Sequence, residues 1–179
     1  MMDIHHEGYS LTNKQKDMVD LAVNHALDSL VTKRMKNTLD ITVRIEKNLY
    51  EKRSIWGDMC CDDDDRSPKY FDIRLNYSGK QSFATLIKVL CHELIHVVQF
   101  ASRRLRYLSG ACRLAFLSEH YSSNDVKYDD RPWEIEAHEL EDDVFEYVKS
   151  QCPEIEEYFQ KTKGYQWQPF LKDCMESSV

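Results

Sequence analysis

At 179 residues with a formal charge of −7, the chain is long enough to bury one well-filled core and short for two. The acidic balance argues against a general nucleic-acid binder, whose phosphate contacts need a basic surface. No apolar run approaches the length of a membrane span, and the start, Met1-Met2-Asp3-Ile4-His5-His6, has no basic region and no signal-like apolar stretch. One cytoplasmic domain over residues 1–179, without a membrane segment, is the expectation. The six cysteines (Cys60, Cys61, Cys91, Cys112, Cys152 and Cys174) include no Cys-x-x-Cys pair and read as reduced thiols.

In chain order, Leu11 to about Met35 reads as an amphipathic helix, with Met18, Leu21, Ala22, Ala26, Leu30 and Val31 on one side. Leu39 to Glu46 alternates apolar and polar residues and reads as a half-buried strand. Ser54 to Cys61 is expected to form a second strand, closed by the turn-rich Asp62–Pro68. Tyr70 to Tyr77 alternates again and gives a third strand, expected at the sheet edge, where open backbone donors would align an extended peptide. Phe83 to Leu105 is helical, with Ser82 as its N-cap. After a loop containing His120, Pro132 opens a helix running to about Ser150. A short helix over Pro153–Gln160 follows, and a tail with Tyr165, Trp167 and Phe170 is expected to pack on the domain.

The chemistry is concentrated in His92-Glu93-Leu94-Ile95-His96. Residues i and i+4 of a helix stack on one face, so both imidazoles reach one ion, while Glu93 stands about 100° around, near a water on that ion. The flanking Leu86, Ile87, Leu90, Leu94, Val97 and Val98 make this a core helix, where two His and a Glu are costly unless something pairs with them. A Zn2+ ion does so, but it requires a third protein ligand. The candidates downstream are His120, the acidic cluster Glu134, Glu136, Glu139 and Glu141, and His138. Glu136 borders the apolar stripe Trp133, Ala137, Leu140 and Val144, beside the small Ala137, and is the expected ligand. Glu134 and His138 point elsewhere on that wheel, and His120 is the second choice.

His92-Glu-Leu-Ile-His96 followed by Pro132-Trp-Glu-Ile-Glu-Ala137 resembles the gluzincin-type metallopeptidases, in particular small domains related to the ImmA/IrrE family, where the Glu before Ala is the ligand. That position is Glu136. The stretch from Phe71 through His96 also resembles SprT-like proteases, which use a third His and would nominate His120; the His-Gly-x-x-Phe context and a zinc ribbon are missing here. The resemblance covers about residues 70 to 150. It implies a compact α+β zincin-like domain with an N-terminal helix, a small antiparallel or mixed sheet, a metal-binding helix and a following ligand-bearing helix. It also implies a loose association with bacteria and their phages.

The expected function is therefore zinc-dependent hydrolysis of peptide bonds in a protein or peptide substrate. Zinc would be held by His92, His96 and Glu136, Glu93 would act as general base, and His120, Tyr121, Tyr128 or Arg131 would stabilise the oxyanion. The alternative is a zinc-binding regulatory or protein-interaction module with a vestigial or gated hydrolase site; an intact Glu93 favours the hydrolase. The cluster Arg103, Arg104, Arg106 and Arg113, with Tyr107 among them, reads as a solvated helix end and leaves a local acidic or nucleic-acid contact open.

Overall fold

A computed structural model describes residues 3–9, 11–61, 68–79, 81–108 and 113–162. The chain is mixed α+β. Its main sheet contains β1 (Asp3–Gly8), β2 (Asp40–Glu46), β3 (Gly57–Cys61) and β4 (Tyr70–Asn76) in the order β1-β2-β4-β3. β1, β2 and β4 are parallel, and β3 runs antiparallel to β4. β4 therefore lies inside the sheet, with both of its sides paired. The expectation of an edge at Tyr70–Tyr77 gives way to β3, which among the described residues has a neighbour on one side only. β1 was not anticipated: Asp-Ile-His-His-Glu-Gly carries no apolar alternation, and its strand state comes from pairing with β2.

The register aligns Ile41 with Phe71, Val43 with Ile73 and Ile45 with Leu75, and all six are buried. Their neighbours in sequence face the other way and carry charge. Arg44 pairs with Asp72 and Glu7, and Arg74 pairs with Asp58. One face of the sheet is thus a core face, and the other a ladder of ion pairs.

Helices α1 (Asn13–Leu30) and α4 (Phe83–Ala101) contribute to the same buried core as the apolar face of the sheet. α1 begins with a capping box, the Thr12 hydroxyl taking the Gln15 amide while the Gln15 side chain returns to the Thr12 backbone. It ends at Leu30, and Thr32 caps a separate short helix, α2 (Lys33–Lys36), so the single helix expected through Met35 is broken. A further short helix, α3 (Leu49–Arg53), precedes β3. α4 is capped by Ser82, as its sequence indicates. It is the single helix among the described residues long and apolar enough to cross a membrane, and it is 89% buried inside the fold. Each fully buried Leu or Ile on it contributes about 1.5–3 kcal/mol relative to exposure.

A second sheet, β5 (Leu105–Tyr107), β6 (Arg113–Phe116) and β7 (Glu119–Ser122), follows α4. Tyr107 packs on Phe100 of α4, while Phe116 and Tyr121 pack on Trp133. α5 (Pro132–Gln151) then lies along α4, and α6 (Pro153–Lys161) completes the described chain. Cys91 and Cys152 are buried free thiols. Cys112, Cys174, the Asp62–Asp65 run and the expected packing of Tyr165, Trp167 and Phe170 lie outside the described residues.

Candidate metal centre

The site forms where α4 and α5 cross. Ala137, fully buried, stands at this junction and lets the two backbones approach. The buried side of α5 consists of Trp133, Glu134, Ala137, Glu141, Val144 and Val148. At about 100° per residue, Glu134 lies about 50° from the centre of that side and Glu136 about 110° from it. Glu134 accordingly enters the core and Glu136 remains at the rim.

His92 Nε2 and His96 Nε2 lie 3.2 Å apart. Glu134 Oε2 is 3.6 Å from the first and 3.2 Å from the second. Ligand atoms bound tetrahedrally to zinc at 2.0–2.1 Å stand about 3.3 Å from one another, so this triangle has the size that one ion requires. Glu136, the expected third ligand, does not face the pair. Its Oε2 accepts from Gln99 Nε2 at 2.9 Å and is paired with Arg104. The carboxylate that faces the two imidazoles is thus two residues earlier than the one the sequence suggested.

The outer nitrogens of both imidazoles are held. His92 Nδ1 lies 2.9 Å from Glu141 Oε2, and His96 Nδ1 lies 2.8 Å from Gln99 Oε1. Glu141 is itself anchored by Lys88, whose Nζ is 3.3 Å from Oε1 and 2.7 Å from Asp142. Such outer partners turn both Nε2 atoms toward Glu134, the end of each ring that a metal ion would take. Tyr128 Oη donates to Glu134 Oε2 at 2.7 Å from a 3-10 turn over Tyr128–Asp130.

Electrostatics point the same way. Burial disfavours a charged His92, yet Glu134 and Glu141 outweigh it and hold the imidazolium pKa at about 10. His96 is also raised, burial again being overcome by Glu134. Glu134 and Glu141 stay well below the usual carboxylate range despite their burial, because His92 with His96, and His138 with His92, bond to them. Burial raises the Glu93 carboxyl, against the pull of the two imidazoles. Three buried carboxylates thus surround two imidazoles, a donor set that could hold a cation.

Glu93 is buried, and β3 runs against it: a Cβ at Gly57 would come within 2.7 Å of Glu93 Oε1. Of the expected oxyanion donors, Tyr128 is the one brought to the site. His120 is exposed on β7, paired in register with Ala115, and Tyr121 turns its ring to Trp133. Arg131 donates to the carbonyls of Ser123 and Val126. His138, expected to point away, borders the site instead, its ring centroid 4.7 Å from that of His92. One ligand atom each from His92, Glu134 and His138 lie within 4.8 Å of one another. The His92–His96–Glu134 triangle is the tighter set, and the outer-nitrogen contacts orient its two histidines. No protein-family model, no curated protein and no solved structure matches this chain.

Proposed function

We propose that the chain is a zinc-dependent metallopeptidase that holds its ion with His92, His96 and Glu134. The observation that carries this reading is the buried triangle of two Nε2 atoms and one Oε2, with edges of 3.2–3.6 Å, beside a buried Glu93. When bound, zinc supplies a water of lowered pKa and polarises the scissile carbonyl. Glu93 takes the proton of the attacking water and passes it to the leaving amine, a role its raised pKa suits. Tyr128 Oη, beside Glu134, would turn its one proton from that carboxylate to the developing negative charge. An extended substrate segment would add to the open edge of β3, which passes Glu93 at Gly57. The buried free thiols of Cys91 and Cys152 suit a reducing compartment, and we assign the protein to the cytoplasm.

The test is incubation of the zinc-loaded protein with unfolded casein, with and without a chelator, alongside Glu93→Gln. Cleavage is expected that the chelator stops and that falls by several orders of magnitude in Glu93→Gln, while zinc stays bound. Cleavage indifferent to both treatments, or none by the zinc-loaded protein, overturns the assignment.

A further inference from the structure

Resting on the zinc site above, we propose that Gln99 and Glu136, clamped by Arg104, form a positioning relay that fixes the orientation and tautomer of His96. Gln99 follows His96 by three residues on α4, so both side chains emerge from one face of the helix. It is fully buried, in a stripe where a leucine would pack equally well without a polar group to satisfy. The amide is satisfied on every side. Its Nε2 donates to the Trp133 carbonyl at 2.9 Å and to Glu136 Oε2 at 2.9 Å.

Both of those partners are acceptors only, and this settles which way the amide points. Oε1 must be the end that meets His96 Nδ1 at 2.8 Å, so Nδ1 carries the proton and donates it. Nε2 is then the end turned to Glu134, 3.2 Å away, and the end left for the ion. His92 receives the same service directly from the Glu141 carboxylate. For His96 the carboxylate is one step further out. Glu136 polarises the amide, and Arg104, which follows the left-handed Arg103 (φ 65°) at the end of α4, holds Glu136 in place. The relay also ties the start of α5, through the Trp133 carbonyl, to the metal helix.

The experiment measures zinc affinity by competition with a chromogenic chelator, the visible spectrum of the Co2+-loaded protein, and the melting temperature of the metal-free protein. Gln99→Met keeps the length of the side chain and removes the amide. It is expected to weaken zinc by about 10–100-fold and to change the Co2+ band, because the imidazole is no longer aimed. Glu136→Ala, at the half-exposed end of the relay, gives a milder loss of about three- to tenfold and guards against Gln99→Met failing to fold. Parent-like zinc affinity and an unchanged Co2+ band in Gln99→Met overturn the relay. Absence of zinc binding by the parent protein overturns the metal site itself, so the two failures are distinct.

Discussion

Replacing Glu134 is the sharpest test of which carboxylate completes the site. Apparent zinc-binding free energies of about 10–16 kcal/mol for four-ligand sites correspond to roughly 3–4 kcal/mol per ligand, or about 10²–10³-fold in affinity. Glu134→Ala removes an oxygen that lies within 3.6 Å of both Nε2 atoms and is therefore expected to lose at least about a hundredfold. Glu136→Ala removes a carboxylate engaged by Gln99 and Arg104, and stays within about tenfold. The metal-free proteins also separate the two. Without Glu134 the buried imidazoles lose their counter-charge, and breaking such a pair costs about 3–5 kcal/mol, or roughly 6–15 °C in melting temperature for a chain of this size. Chelator competition with zinc, and thermal unfolding after dialysis against a chelator, read both effects. A thousandfold loss in Glu136→Ala with parent-like zinc binding in Glu134→Ala refutes the geometry.

The His92–His96 pair, the metal helix and strands β2 and β4 were legible because each rests on local periodicity: i and i+4 on a helix, or alternation in a strand. The Ser82 cap and the Pro132 helix start were legible for the same reason. β1 was not, because Asp3–Gly8 has no pattern of its own and becomes a strand by pairing with β2. Nor was the edge of the sheet, since the order β1-β2-β4-β3 is set by long-range pairing. The error at the third ligand has a specific cause. Reading the apolar side from Trp133, Ala137, Leu140 and Val144 alone turned it toward Glu136, whereas Glu134 and Glu141 are buried and carry that side the other way. The spacing Glu134, Ala137, Glu141 (i, i+3, i+7) marks one face and was the signal available. A helix that buries two carboxylates breaks the polar-outside rule, and such breaks are expected where function, not stability, sets the residue.

Two further substitutions probe the groups around the ligands. Glu141→Gln keeps the shape but removes the charge that orients His92 Nδ1 at 2.9 Å; zinc affinity is expected to fall by about 10–100-fold, and an unchanged affinity would show that this contact does not tune the ligand. Gly57→Ala addresses the base. The added Cβ would sit 2.7 Å from both Glu93 Oε1 and Val89 Cγ1, well inside van der Waals contact. Val89 is packed on the core, whereas the Glu93 carboxylate is the end of a longer side chain, so Glu93 is the group that yields. Misplacing a reacting group by about 1 Å can cost about a hundredfold in rate, so kcat on an unfolded protein substrate is expected to fall by that order. Zinc affinity should remain within about threefold of the parent, because the Cβ meets none of His92, His96 or Glu134. A variant that turns over at the parent rate shows that β3 does not set the position of Glu93. One that loses zinc as well shows that β3 supports the ligands rather than the base.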